Sequence, residues 1–196
     1  MSIKTSEDTQ ESGQLFYLMG ASGAGKNTLF NYARSNLQDY KKIKFARRYI
    51  TRPTGNSDTE EHIGIFPEDF KRLLQEGFFA MTWTNNGFHY GISTEINLWL
   101  AQDYSVVMIG SRQYYHTAKI DYPQLHAVLI QAKPDILLRR LRSRNREKAE
   151  ELKQRLARNA IYHDFGKHIE AKFTAIENNL NLEIAGRQLI NLISKH

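Results

Sequence analysis

The apolar residues of this chain fall into short continuous runs separated by longer amphipathic stretches. A short apolar run flanked by glycine or polar residues is typical of a buried parallel strand, and an amphipathic stretch is typical of a surface helix. The runs predict strands over residues 15–19, 106–109, 127–131 and 173–176. The amphipathic stretches predict helices from a glycine cluster to about residue 37, and over 94–102, 134–144, 148–162 and about 185–193. This alternation predicts an α/β fold with a parallel sheet flanked by helices.

The region from about residue 44 to 92 interrupts this alternation. It is rich in aromatic and β-branched residues and in turn signals, among them those at 53–56 and 85–87. One helix is predicted there, over residues 67–75, because proline suits a first turn and a glycine follows the end. We therefore predict a small β-rich insertion at about 44–92, within a single domain that spans 14–196. The polar residues 1–13 are predicted to form a flexible tail.

Composition narrows the function classes. The chain has no cysteine, which excludes disulfides, thiolate metal sites and cysteine nucleophiles. No apolar run approaches membrane-spanning length, so we expect a cytoplasmic protein with no membrane partner. The formal net charge of +6 suits an anionic partner, either nucleic acid or a phosphorylated small molecule. Because no recognition helix or base-stacking motif is evident, we expect no nucleic-acid partner. The oligomeric state is not predicted.

The glycine-rich stretch after the first predicted strand carries a chemical signature. It fits the G-x-x-x-x-G-K pattern of a phosphate-binding loop, placed between a strand and a helix. Glycines let the backbone turn its N–H groups toward phosphate oxygens, and the helix adds the positive end of its dipole. Lys26 is predicted to be catalytic, because its charge stabilises the charge that develops on a transferred phosphoryl group. The expected ATP-binding residues are Gly20, Ala21, Ser22, Gly23, Ala24, Gly25, Lys26, Asn27 and Thr28.

The position after the lysine bears on the metal that accompanies ATP. Phosphate-binding loops have Ser or Thr there to ligate Mg²⁺, whereas this chain has Asn27 followed by Thr28. An amide oxygen is a hard neutral ligand, so Asn27 is the predicted Mg²⁺ ligand, either directly or through water. No carboxylate follows the predicted strand at 106–109, so the metal is expected to rest mainly on the phosphates of ATP.

These motifs together resemble the guanylate-kinase-like branch of the nucleoside-monophosphate kinases. The matching pieces are GASGAGKNT at 20–28, YITRP at 49–53, HYG at 89–91, ENN at 177–179, and a stretch with seven arginines at 139–158. The resemblance implies that Thr51, Arg52 and Tyr90 face the phosphate of the acceptor. It also implies a helical lid at about 139–158, whose Arg144 and Arg155 close over ATP and act in catalysis.

Two departures from the guanylate kinases concern the acceptor. Those enzymes have a second arginine where this chain has Thr54, and they read guanine with two carboxylates. By alignment, the positions of these carboxylates hold Met81 and Ser111. A site that reads a base by hydrogen bonds fails without its acceptors, so guanylate kinase activity is disfavoured and remains an alternative.

A narrower resemblance fits the changed positions. RRYITRP at 47–53, EEHIGI at 60–65, WTNNGFHYGISTEINLWL at 83–100 and IGSR at 109–112 are similar to the ribose 1,5-bisphosphate phosphokinases of bacterial phosphonate catabolism. This resemblance implies transfer of a phosphoryl group from ATP to a small phosphorylated sugar, giving 5-phosphoribosyl 1-diphosphate. The acceptor oxygen is then already ionised, so catalysis needs positioning and charge neutralisation rather than a base. The predicted acceptor-binding residues are Arg48, Arg52, Tyr90 and Arg112.

Two other function classes remain open. A non-catalytic binding module of guanylate-kinase-like fold would have no use for Lys26 or an arginine-rich lid, and ATP-dependent product formation separates the two cases. A nucleic-acid-binding protein is suggested by charge alone. Trp83 and Trp99 are predicted to be core residues rather than stacking platforms.

Overall fold

The computed structural model describes residues 13–51, 62–143, 173–179 and 181–195. Outside these ranges lie the predicted helix at 148–162, residues 1–12 of the tail predicted at 1–13, and most of the lid predicted at 139–158. In the described ranges the strands are β1 (Leu15–Gly20), β2 (Ile43–Phe45), β3 (Arg48–Ile50), β4 (His62–Gly64), β5 (Phe79–Asn85), β6 (Phe88–Ser93), β7 (Ser105–Ile109), β8 (His126–Gln131) and β9 (Phe173–Glu177). The helices are α1 (Lys26–Asn36), α2 (Pro67–Gln75), α3 (Glu95–Ala101), α4 (Tyr115–Asp121), α5 (Pro134–Ser143) and α6 (Leu182–Ile193).

The central sheet is parallel, as the continuous apolar runs predicted. Its five strands are ordered β2-β7-β1-β8-β9, with β1 in the middle. Side chains on the two faces of β1 enter two separate cores. Phe16 and Leu18 pack toward α1 and α6, while Tyr17 and Met19 pack on the opposite face. The predicted α/β fold is confirmed.

A second sheet of four strands lies within the region predicted to be β-rich. Its order is β4-β3-β6-β5, and β5 and β6 form an antiparallel hairpin. Asn86 and Gly87 at the turn both have positive φ, 55° and 75°, as a two-residue hairpin turn requires. Met81 and Ile92 of this hairpin are buried in the same core as Tyr17. The second sheet therefore packs onto one face of the central sheet.

The second sheet begins a few residues after the predicted start of the insertion, at about residue 44. Lys44 is the middle residue of β2, which pairs with β7 in the central sheet, and the second sheet begins at Arg48. Helix α4 was not predicted either. Strand β2 and helix α4 are both short, so neither has enough residues to show a hydrophobic periodicity in the sequence.

The loops at the carboxyl ends of the parallel strands meet at one edge of the central sheet. They are the glycine-rich loop after β1, the Gly110–Arg112 turn after β7 and the residues that follow β9. This edge is where α/β proteins bind ligands. Among the described helices, none has the length and apolar character that crossing a membrane demands.

Candidate active site

The glycine-rich loop between β1 and α1 owes its shape to glycine. Gly23 and Gly25 have φ of 87° and 92°, in the left-handed region that other residues rarely adopt. A Cβ on Gly25 would also overlap the side-chain amide of Asn178, and a Cβ on Gly20 would overlap the carbonyl of Ile130. Gly23 is therefore required by its torsion angle, Gly20 by its contact with β8, and Gly25 for both kinds of reason.

Helix α1 begins immediately after Gly25 and directs its amino end at the loop. No acidic residue lies in its first turn, so no carboxylate there offsets the positive end of the helix dipole. Lys26 is half-buried, and its ammonium donates hydrogen bonds to the carbonyls of Gly20 at 2.9 Å and Ala21 at 3.0 Å. Asn27 is half-buried and Thr28 is exposed in the same turn. This geometry concentrates positive potential where phosphate oxygens would bind.

A buried asparagine holds the outer side of the loop. The Asn178 side chain is 4% exposed, and its Nδ2 donates to the Ala24 carbonyl at 2.8 Å. The backbone N–H of Asn178 is itself bound to the carbonyl of Gln131, at the end of β8. A carbonyl held in this way does not turn toward a bound anion, which it would repel. Sequence comparison had matched Asn178 only as part of a motif and assigned it no role.

Arg140 of α5 contacts the same part of the loop, at the Gly23 and Ala24 carbonyls. Its Nη1 lies 3.4 Å from the oxygens of Gly23 and Ala24, and its Nη2 donates to the Asn179 carbonyl at 3.2 Å. Burial, and then the neighbouring charge of Arg139, lowers the pKa of Arg140 from its ordinary value. The sequence placed this arginine in the predicted lid. The structure instead places it against the loop, and only the arginine-rich composition pointed to it beforehand.

The predicted acceptor residues Arg48 and Tyr90 lie together on the second sheet. Arg48 is 8% exposed, and its guanidinium lies over the ring of Tyr90, with 5.7 Å between Cζ and the ring centroid. Tyr90 stacks on Trp83 at 5.6 Å with nearly parallel planes, and Trp83 stacks on Tyr114 at 5.8 Å. We call Tyr90, Trp83 and Tyr114 the aromatic column. Trp83 thus packs against the core, as predicted, and its stacking partners in the column are protein side chains.

Arg112 lies in the turn after β7 and is half-buried. This turn is joined to Arg48 by the aromatic column, because Tyr114, at the far end of the column, lies two residues after Arg112. The column therefore connects Arg48 and Tyr90 to the turn that carries Arg112. Thr51 is committed to the sheet, since its hydroxyl accepts a bond from the His89 N–H at 2.9 Å.

Three predicted site residues lie outside the described residues, namely Arg52, Arg144 and Arg155. Of the two positions aligned with guanine-reading carboxylates, Met81 is buried in the apolar core. Ser111 is half-buried, and its hydroxyl accepts a bond from the Gln113 N–H at 3.2 Å. The described part of the cleft thus has cationic and aromatic groups, and apolar or hydroxyl groups where carboxylates would read a base.

Comparison with known proteins finds several relatives that carry the same name. Ribose 1,5-bisphosphate phosphokinase PhnN of Thiobacillus denitrificans is 40% identical over 182 residues, covering 93% of each chain. The proteins of the same name from Burkholderia pseudomallei and Psychromonas ingrahamii are 41% and 40% identical, over 92% of this chain and 95% and 90% of theirs. No protein-family model matches the chain.

Among solved structures, a guanylate kinase from Anaplasma phagocytophilum superposes with a TM-score of 0.68. The alignment covers 94% of this chain and 86% of that chain, at 16% sequence identity. At this identity the likeness shows a shared fold and no more.

The contact between Asn178 and the loop yields a prediction about nucleotide binding. Asn178→Ala leaves the Ala24 carbonyl only the longer contact from Arg140, so we expect ATP to bind about tenfold more weakly, in line with the loss of one buried hydrogen bond. Titration with a fluorescent ATP analogue would measure this.

The matched control is Asn181→Ala, three residues away. The Asn181 side chain caps α6 by accepting from the N–H groups of Glu183 and Ile184, so its loss should cost about 1 kcal/mol of stability without weakening ATP binding. Equal nucleotide affinity in both variants would contradict the role of Asn178.

Proposed function

Because the chain belongs to the ribose 1,5-bisphosphate phosphokinase family, we propose that it transfers the γ-phosphoryl group of ATP to ribose 1,5-bisphosphate. The products are 5-phosphoribosyl 1-diphosphate and ADP. The observation that carries this proposal is the identity of about 40% with the phosphokinase of Thiobacillus denitrificans over 93% of both chains. The chain is accordingly an ATP-dependent kinase with a phosphate group as acceptor.

The proposed reaction makes few chemical demands on the protein. An oxygen of the acceptor 1-phosphate forms a bond to the γ-phosphorus, while the bond from that phosphorus to the β-phosphate oxygen breaks. The attacking oxygen is already ionised at neutral pH, so no general base is required. The protein must align two highly charged anions and neutralise their repulsion, which is the work of preorganised cations and N–H groups.

The donor half of the site is proposed to be the glycine-rich loop. Its N–H groups and the amino end of α1 hold the β- and γ-phosphates, and Lys26 neutralises charge on the transferred group. The ammonium of Lys26 is already held at the mouth of the loop by the Gly20 and Ala21 carbonyls. Arg144 and Arg155 are proposed to approach ATP from the lid.

The acceptor half is proposed to lie between the second sheet and the turn after β7. Arg48, Arg52 and Arg112 supply the cations, and Tyr90 supplies a neutral donor. The support for Arg48 is its burial against Tyr90, since a guanidinium held in one place loses little entropy on binding phosphate. An acceptor bound mainly through two phosphates suits such a site.

The start of α1 fits a magnesium ion that rests mainly on the phosphates of ATP. Within the described ranges, no three or more His, Cys, Asp or Glu side chains group together in a way that could hold a metal. The nearby protein oxygens are the amide of Asn27 and the hydroxyl of Thr28, which are hard neutral ligands. We propose that Asn27 holds Mg²⁺, directly or through water. The bound ion would neutralise phosphate charge.

Guanylate kinase activity is the second candidate, favoured by the fold likeness alone. Met81 counts against it, because an apolar side chain buried in the core cannot accept hydrogen bonds from a base. The expected cytoplasmic location, and the absence of nucleic-acid and membrane partners, stay predictions.

Acceptor choice can be tested directly. With ATP and Mg²⁺, ribose 1,5-bisphosphate should release ADP and form 5-phosphoribosyl 1-diphosphate, whereas GMP should react poorly. The Lys26→Ala protein, purified in parallel, shows how much ADP comes from contaminating kinases. Efficient turnover of GMP with none of the ribose bisphosphate would overturn the proposed acceptor and leave the kinase fold in place.

Lys26→Ala should lower kcat by about 10²-fold or more, the scale for removing a transition-state charge contact. The matched control is Lys119→Ala, because Lys119 also donates to two backbone carbonyls, those of Pro123 and Leu125, on another part of the surface. The control should keep near wild-type turnover. A kcat within a few-fold of wild type for Lys26→Ala would remove Lys26 from the γ-phosphate.

Asn27→Ala should raise the Mg²⁺ concentration needed for half-maximal activity, and Asn27→Ser should keep much of the wild-type response. Asn36→Ala serves as control, since Asn36 lies at the far end of the same helix and its amide bonds only locally, to the Tyr32 carbonyl. An unchanged Mg²⁺ titration for Asn27→Ala would transfer the role to Thr28 or to ATP alone.

A further inference from the structure

Tyr17 is a polar residue in the centre of the parallel sheet. Its side chain is fully buried, in a strand whose other positions from Leu15 to Met19 are apolar. The phenol reaches beyond its own strand to the carboxyl end of β7. There it donates to the Ser111 carbonyl at 2.8 Å and accepts from the Ser111 N–H at 2.9 Å. One hydroxyl thus satisfies both backbone groups of a single residue in the turn that precedes Arg112.

The path of the Tyr17 ring is open because residue 110 is glycine. A Cβ on Gly110 would overlap the far end of the ring and its hydroxyl oxygen. The N–H of Gly110 bonds to the Leu18 carbonyl at 2.9 Å, which continues the pairing of β7 with β1 up to the turn. Tyr17 and Gly110 are therefore complementary, and the pair fixes where the chain leaves the sheet.

The local hydrogen bonds of this turn are longer than those made by Tyr17. The Gln113 N–H lies 3.2 Å from the Ser111 hydroxyl, and the Tyr115 N–H lies 3.4 Å from the Arg112 carbonyl. Hydrogen bonds weaken toward these lengths, so the phenol is the firmer attachment of the turn to the sheet.

The turn held by this hydroxyl is linked to Arg48 through the aromatic column. Burial raises the pKa of Tyr17, and the charge of Arg48 acts in the opposite direction. The phenol therefore stays neutral at physiological pH and keeps one proton to donate and lone pairs to accept. Tyr114, at the end of the aromatic column, lies two residues after Arg112, so the column joins the second sheet to the turn that Tyr17 holds.

We propose that Tyr17 is a positioning residue for the acceptor site: its phenol fixes the Ser111 backbone and so sets Arg112 at a defined separation from Arg48. This inference rests on the proposed function, in which both arginines bind the acceptor. Two cations held at a preset spacing favour an acceptor with two phosphates, because the site is not reorganised when the acceptor binds. Tyr17 acts through Ser111 and Arg112 and does not itself touch the acceptor.

Tyr17→Phe tests the proposal, because it keeps the ring and removes the hydroxyl. The KM for ribose 1,5-bisphosphate should rise about tenfold, while the KM for ATP stays within twofold of wild type. The matched control is Tyr122→Phe, which removes a phenol bonded to Asn97 at 2.7 Å, near the same core but not in the turn. The control should leave both KM values unchanged, and unfolding in urea would compare the stability lost in the two variants.

A second variant changes the other side of the contact between Tyr17 and Gly110. Gly110→Ala should also raise the KM for the acceptor and spare that for ATP, because the added methyl group pushes the turn off the Tyr17 ring. The proposal is overturned if Tyr17→Phe leaves the acceptor KM unchanged, or raises both KM values equally, as a purely structural role would. If the wild-type protein uses a different phosphorylated acceptor, the proposed function fails, and the same comparison on that acceptor decides the role of Tyr17.

Discussion

The hydrogen bond from the buried amide of Asn178 to the Ala24 carbonyl is the contact on which the proposed donor half of the site depends. This bond keeps the Ala24 carbonyl away from a bound phosphate, because a carbonyl turned toward the anion would repel it. The bond also explains Gly25, whose missing side chain makes room for the amide. Through the Asn178 N–H and Arg140, the loop is tied to β8 and α5, so strand order and loop conformation are coupled.

The proposed acceptor half uses the same principle with different groups. A central tyrosine binds both backbone groups of Ser111, and the aromatic column supports the guanidinium of Arg48. In the donor half, Asn178 holds the backbone of the glycine-rich loop. In the acceptor half, Tyr17 holds the backbone of the turn after β7, and Tyr90 supports a cation on the second sheet. Such support limits the motion of groups that must neutralise phosphate, which is where preorganisation lowers a barrier.

Much of the central fold was predictable from local pattern, and the parts that were missed share a reason. The strands β1, β7 and β8 contain continuous apolar runs and β9 a weaker one, and α2 matched its predicted bounds because proline and glycine mark its ends. The loop was recognised from seven consecutive residues. By contrast, the roles of Arg140, Asn178 and Tyr17 come from contacts with residues more than 90 positions away. Periodicity and short motifs report neighbours in sequence, so they could not reveal such contacts.

The burial of Arg48 connects the architecture to acceptor choice. A guanidinium that is 8% exposed has given up most of its hydration, and the face of Tyr90 offsets part of that loss. A phosphate dianion can offset more, because charge-assisted bidentate bonds are among the strongest in proteins. A nucleoside monophosphate brings one phosphate and a base whose polar edge would meet the apolar Met81. A sugar with two phosphates brings a second anion in place of that base, and in a site built from fixed cations this difference decides between the two acceptors.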